Sequence, residues 1–227
     1  MLERVISVLI EVNWLKTFWF NFHHFRFSEA LQLPFLVYWK TGIRPSKGSI
    51  KILAPVSFGM CRLGKPIIGI QDQKHKRTIW QLGKDTELLI KGRATIGRGC
   101  RFCIEPGGKI TLGNLFLITG DATVLCRKEI TFGEDCMLSW DVLVMDSDWH
   151  DIKDRDGKVL NEDAPVSFED HVWVGCRSTI LKGAVIPSGC VIAAGTLITR
   201  HLDEPNAVYA ECGKNVAPVK RQIHWEH

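Results

Sequence analysis

The sequence predicts an all-β chain wound as a coil of short strands. Three observations carry that reading: an aliphatic residue returns every sixth place, a second place is small or β-branched in five of the six clearest repeats, and the spacing suits neither a helix nor a simple strand. From Phe168 the repeat reads FEDHVW, VGCRST, ILKGAV, IPSGCV, IAAGTL and ITRHLD, with Phe168, Val174, Ile180, Ile186, Ile192 and Ile198 at the first place. The fifth place holds Val172, Ser178, Ala184, Cys190 and Thr196. A helix of 3.6 residues per turn cannot keep every sixth residue inward, whereas short strands separated by corners can. The first position then points into a stack, the fifth sits small beside a corner, and each coil buries its face only against its neighbours.

Composition bounds the remaining choices. A chain of 227 residues with 45% hydrophobic and 24% charged residues is globular rather than disordered. A net charge of +4 without a long basic run gives no support to nucleic-acid binding, and it is compatible with a phosphate-bearing ligand. Eight cysteines, with no secretory leader pattern, fit a reducing compartment. Cys100, Cys136 and Cys190 fall on the small fifth place, and the single CxxC (Cys100 to Cys103) lacks a second pair, so no metal site is expected.

In chain order, residues 1–45 form an aromatic-rich helical segment holding ten of the 21 aromatic residues. Glu11, Asn13, Lys16 and Asn21 interrupt the apolar run from Val5 to Phe22, which argues against a membrane span. Arg4, Ser7 and Glu11 on one stripe and Val5, Leu9 and Val12 on another predict an amphipathic helix over residues 2–12. That segment serves as a cap, with peripheral contact to a membrane surface as the sharper alternative. Residues 46–202 form the coil. Of its earlier runs, Phe132, Leu138 and Val144 are in step with the repeat from Phe168, Leu112, Ile118 and Val124 are two residues out of phase, and Ile90, Ile96 and Phe102 form a third; the offsets predict loops at corners. Residues 203–227 form a tail.

Between Val144 and Phe168 the in-step places are His150, Asp156 and Glu162, which cannot line an apolar stack. The coil therefore stops near residue 145 and resumes near 165, leaving DSDWHDIKDRDGKVLNEDAP as an excursion with DRDG as a turn. Its acids lack the calcium-loop register. The break follows DVLVM and presents Asp146, Asp148, Trp149 and His150 together.

The segment APVSFEDHVWVGCRSTILKGAVIPSGCVIAAGTLITR resembles the hexapeptide-repeat acyltransferases, within them the maltose and galactoside O-acetyltransferases and the acetyltransferases of bacterial capsule and lipopolysaccharide synthesis. The resemblance covers residues 88–200. It implies a left-handed parallel β-helix, a homotrimer with sites between subunits, and a bacterial, cytoplasmic enzyme transferring an acetyl group from acetyl-CoA to a sugar hydroxyl. By the same resemblance His150, in the loop before Val172-Trp173-Val174-Gly175, is the general base. A neutral imidazole accepts the hydroxyl proton as the ester bond forms, and returns it to the leaving thiolate.

The resemblance further implies that acetyl-CoA meets Trp173 and Cys176 at its reacting end, Ala194 along the arm, and Thr199, Arg200 and Lys214 toward the nucleotide. Lys214 stands in a turn that departs from the family's proline-containing ending. Asp146 and Asp148 are candidates to orient the imidazole or hold the acceptor, and Trp140 and Trp149 to stack on a sugar. Alternatives are N-acetyl transfer to an amino sugar and a non-catalytic coil acting as an assembly partner. A zinc enzyme built on His150, His171 and His201 is weaker, because these lie 21 and 30 residues apart and none of them forms a close pair.

Overall fold

The computed structural model describes residues 9–44, 47–72, 74–212 and 215–226. Three sheets run side by side, with successive strands of the chain passing from the first to the second to the third and back, so that the chain forms a three-faced parallel β-helix. The first sheet holds nine strands, the second seven and the third six. Among the described residues every strand pairing is parallel except the last, that of Val208–Cys212 with Asn215–Lys220.

The six-residue repeat is the physical cause of this stacking. Phe168 pairs with Ile186, Val174 with Ile192, and Ile180 with Ile198, one full coil of eighteen residues apart. All six first-place residues are at most 1% exposed, and the fifth-place residues at most 2%. The upstream phase slips share one origin. Strand partners show ten residues rather than six from Phe102 to Leu112, eight from Val124 to Phe132, and 24 from Val144 to Phe168. Each surplus lies at the corner between the second and third sheets. From Ile90 to Ile198 the other two corners keep six-residue steps, so over that stretch this corner alone grows outward into a ledge.

Aromatic stacks fill the interior. Phe132 lies 4.6 Å from both Phe116 and Phe168, and Trp80 stacks on Phe102 at 4.9 Å. Buried side chains of this size each contribute about 1.5–3 kcal/mol of transfer free energy. Among the described residues all eight cysteines are free, and Cys61, Cys100, Cys126, Cys136 and Cys190 are buried. Burial pushes the thiols of Cys61, Cys100 and Cys136 up to about 12, which leaves them as packing groups.

The N-terminal segment differs from expectation in two respects. Of the helix expected over residues 2–12, residues 1–8 lie outside the described residues and 9–11 are helical. The main helix, α1 (Trp14–His24), follows, capped by the Asn13 side chain. A single turn, α2 (Phe27–Ala30), comes next. The coil then begins at Phe35–Val37 and Thr41–Ile43, already paired in the first and second sheets, rather than at residue 46. The tail likewise continues the first sheet through Val208–Cys212. Val37 and Ile43 keep the six-residue step, but nine, eleven and seventeen residues then separate Ile43, Ile52, Leu63 and Trp80, so the early coils escape a reading by period.

α1 packs on the first strand with a mixed face of Thr17, Phe20 and Asn21. Asn21 Oδ1 accepts from Phe35 N at 3.0 Å, Asn21 Nδ2 donates to Phe35 O at 2.8 Å, and Thr17 Oγ1 accepts from Val37 N at 3.0 Å. Leu15, Phe18, Trp19 and Phe22 point outward, at 43% exposure or more. Among the described residues no helix is long and apolar enough to cross a membrane.

Candidate active site

The ledge between the second and third sheets carries the histidine. Strand Leu143–Met145 ends at this corner, and the chain leaves the coil until Val166–Phe168. The excursion folds on itself. Leu160 N donates to Ile152 O at 2.7 Å, Lys153 bridges Val159, and the DRDG stretch turns on Asp154, whose Oδ1 accepts from Asp156 N and Lys158 N at 2.9 Å each.

Asp146 fixes where the excursion begins. It is fully buried, and its carboxylate accepts from Arg127 N and Lys128 N at 2.8 Å each and from Cys126 Sγ at 3.4 Å. Its oxygens are thus committed to the coil below, and neither the imidazole nor an acceptor sugar is their partner. This corrects the expectation drawn from sequence: at a corner, an inward aspartate saturates backbone amides that the widened ledge would otherwise leave unpaired.

Asp148 is the exposed acid of the pair. Its Oδ2 accepts from Lys182 Nζ at 2.6 Å and from Asn161 Nδ2 at 2.8 Å. Those two bonds, the Lys182 contact foremost, hold its carboxyl below the usual carboxylate range. It too is occupied by protein rather than free for substrate. Lys182 Nζ also donates to Asn161 O at 2.7 Å and Glu162 O at 3.2 Å, and Asn161 Nδ2 donates to His150 O at 2.9 Å.

His150 itself is exposed, and among the described residues its ring makes no hydrogen bond. Trp149, just before it, takes φ +69°, a left-handed conformation rare for a bulky residue, and is 41% exposed. Its carbonyl accepts from Arg127 Nη1 at 3.3 Å. Arg127 also pairs with Asp163 at 3.3 Å. Two depressions flank the arginine: one of about 370 Å³ containing His150, Lys128, Asp151 and Asn161, the other of about 350 Å³ lined by Glu105, Pro106, Arg127 and Trp149.

Five of the remaining expected residues divide between two corners of the second sheet. Thr199 and Arg200 follow strand Leu197–Ile198 on the same corner as the histidine loop, two coils on from Asp146, with Lys182 in the coil between. They line a cavity of about 340 Å³ closed by Glu211, Asn215 and Val216 of the terminal hairpin, and Arg200 Nη2 donates to Val216 O at 3.0 Å. Lys214 lies outside the described residues.

Trp140, Cys176 and Ala194 stack on the other corner, between the first and second sheets. Arg177 N donates to Trp140 O, and Gly195 N to Cys176 O. Gly175 is required there, because a Cβ would stand 2.7 Å from Ala194 N. Trp140 and His150 sit at opposite ends of strand Leu143–Met145, so one chain does not bring Trp140 to the histidine loop.

Trp173 projects from the first sheet. Its Nε1 donates to Ser139 Oγ at 3.0 Å, and Trp225 of the tail leans on it at 5.9 Å. Trp225 stacks on His171 at 4.0 Å, and His171 places one ring nitrogen 2.8 Å from Asp135 and the other 3.0 Å from Trp225 O. Lys182, Asn161 and Arg127 were missed by sequence reasoning. A lysine in the repeat ILKGAV, one coil beyond the excursion, was the available signal for the first. Among the described residues no cluster of three His, Cys, Asp or Glu side chains is arranged to hold a metal.

No family model matches the chain. It is 33% identical over 137 residues to a polysialic acid O-acetyltransferase of Escherichia coli O1:K1, a match covering 60% of this chain and 41% of that protein. A polysialic acid O-acetyltransferase of Neisseria meningitidis is 35% identical over 81 residues, 35% of each chain. The chain thus spans about two-fifths or less of these relatives. An uncharacterized 24.8 kDa protein from the cps region of Klebsiella pneumoniae is 26% identical over 85% of this chain and 84% of its own length.

Two solved structures share the fold at 20% identity. The polysialic acid O-acetyltransferase OatWY has a TM-score of 0.57 over 85% of this chain and 87% of its own, and the polySia-specific acetyltransferase NeuO 0.55 over 86% and 79%. The chain is a left-handed parallel β-helix of the hexapeptide-repeat type, akin in sequence to the polysialic acid O-acetyltransferases.

Proposed function

We propose that the protein is an O-acetyltransferase that moves an acetyl group from acetyl-CoA to a sugar hydroxyl in surface-polysaccharide synthesis. The observation that carries this reading is His150: an imidazole without a protein partner, set in a depression on a braced loop, in a chain whose sequence relatives are O-acetyltransferases. In the proposed step the ring takes the proton of the acceptor hydroxyl as its oxygen bonds to the thioester carbonyl carbon. The carbon–sulfur bond then breaks, and the proton passes to the departing thiolate. General base catalysis of this kind is worth about 10² to 10⁴ in rate, and alignment of the two substrates supplies much of the rest.

Arg200 and Thr199 in their cavity suit the phosphate end of the donor, with the anchoring bond to Val216 presenting the guanidinium in one orientation. Small residues at Cys176 and Ala194 leave a corner that a slender pantetheine arm can follow. The separation of this corner from His150 within one chain supports a site completed by a neighbouring copy, in a trimer. Peripheral membrane contact through the outward Leu15, Phe18, Trp19 and Phe22 stripe, and action at the cytoplasmic face, belong to the same reading.

The test is release of free thiol from acetyl-CoA with polysialic acid, a galactoside and an amino sugar as separate acceptors. Turnover with a hydroxyl acceptor that falls at least about hundredfold in His150→Ala supports the reading. Turnover only with the amino sugar makes the protein an N-acetyltransferase. Undiminished turnover in His150→Ala removes the histidine from the mechanism.

A further inference from the structure

Four tethers converge on the four residues that end in His150. Trp149 N donates to Ser147 Oγ at 2.9 Å, Trp149 O accepts from Arg127, Asp148 is gripped by Lys182 and Asn161, and His150 O accepts from Asn161. The left-handed turn at Trp149 costs about 1–3 kcal/mol and persists only where surroundings over-determine it. None of the tethers touches the imidazole. The backbone that carries the ring is fixed, while the ring is left for substrate.

Among these tethers Lys182 holds a particular place. It belongs to the coil, immediately after strand Thr179–Leu181, yet its Nζ reaches three groups of the excursion: Asp148 Oδ2, Asn161 O and Glu162 O. It therefore ties both legs of the loop to the next coil, and its side chain is only 21% exposed. Asn161 completes the clamp from the returning leg, with its Oδ1 accepting from Ile152 N at 2.6 Å and its amide reaching Asp148 and His150. A surface ion pair alone would contribute little, whereas a lysine with three acceptors, one of them a carboxylate also held by Asn161, forms a network.

We infer that Lys182 and Asn161 are positioning residues that set the place of His150 through Asp148, an inference that rests on His150 being the base. A displacement of the ring by about 1 Å costs on the order of a hundredfold in rate. The experiment is a cycle of Lys182→Met and His150→Ala, singly and together, assayed by thiol release with the hydroxyl acceptor that turns over. Amide hydrogen exchange is measured in parallel.

Lys182→Met is expected to lower kcat about ten- to hundredfold, to leave the KM for acetyl-CoA within about twofold, and to recover partly in Lys182→Arg. In the His150→Ala background the same change is expected to lower the residual rate less than about twofold, because there is no ring left to place. Exchange should quicken across residues 147–152 and stay unchanged in Leu143–Met145 and Thr179–Leu181. Unchanged kcat, a full further loss in the His150→Ala background, or unchanged exchange in the loop would overturn the inference. Should Lys182→Met not fold, Asn161→Ala, on the exposed loop, carries the same cycle. Full turnover in His150→Ala would instead refute the base, while the exchange result still reports whether the clamp orders the loop.

Discussion

Replacing Asp146 by alanine separates a structural acid from a substrate-binding one. The side chain is fully buried and accepts two backbone amides at 2.8 Å. A hydrogen bond to a charged group contributes about 1.5–3 kcal/mol, and a buried donor left unpaired costs about 1–3 kcal/mol. With Arg127 N and Lys128 N both stranded, a loss of about 3–5 kcal/mol is expected, capped by the cost of undocking the excursion. For a chain of this size that corresponds to a fall in Tm of roughly 6–20 °C. Asp146→Asn should lie between the two, since one amide oxygen serves one donor well and its NH₂ opposes the other.

The assay is thermal unfolding followed by circular dichroism, with amide exchange at residues 126–128 as the local readout. His150→Ala serves as control: its ring is exposed and unbonded, so Tm should move by less than about 2 °C. A variant Asp146→Ala with wild-type Tm, unchanged exchange at 126–128 and a raised acceptor KM would refute this reasoning and return Asp146 to the substrate.

Three further outcomes are expected. Phe132→Ala, which opens a hole between Phe116 and Phe168 at 4.6 Å on either side, should cost about 3–5 kcal/mol in denaturant unfolding, and a loss under 1 kcal/mol would mean the stack collapses to fill it. His24, with a buried and unpartnered Nε2, has its pKa pushed down to about 4, by burial first and by neighbouring His23 second. Because the unfolded chain binds the proton nearer pH 6.5, stability should rise with pH between about 4 and 6.5, and His24→Gln should flatten that rise in melts taken across the window. Asp148 has a depressed pKa, so the clamp's contribution is present above the ordinary carboxylate value near 4 and is lost as pH falls through the lower folded value. Exchange of residues 147–152, corrected for intrinsic rates, should therefore be flat from pH 8 to 5 and quicken only in stronger acid.

The coil and the place of the excursion were legible in the sequence because both rest on one local rule, an aliphatic residue at every sixth place. The slips at Leu112, Phe132 and Phe168 even mark the corner that widens, although only the pairing shows that all three fall on the same one. The roles of the two aspartates were not legible. Asp146 answers to amides of Arg127 and Lys128, one coil below, and Asp148 to Lys182, one coil above. In a solenoid a side chain meets partners about twenty to thirty-five residues away, so neighbours in sequence say little about what a corner acid touches.

The covering of Trp173 by Trp225 is non-local in the same way. For α1 the difficulty was direction. Leu15, Phe18, Trp19 and Phe22 form a stripe at helical spacing that would ordinarily be read as the core face, and the structure turns it outward because Thr17 and Asn21 are needed within.

The inward polar face of α1 has a consequence for assembly. A parallel solenoid ends in a row of unpaired amides and carbonyls, an open template on which another copy could stack without limit. Asn21 and Thr17 occupy that row at Phe35 and Val37, and at the other end of the first sheet the antiparallel strand Asn215–Lys220 turns back, carrying Pro218, which has no amide hydrogen to offer, and the charged Lys220. With both ends of this sheet stopped, the first sheet offers no simple template for end-to-end stacking. Side-by-side contacts related by rotation can close into a ring of fixed number, whereas end-to-end stacking would run on as a filament.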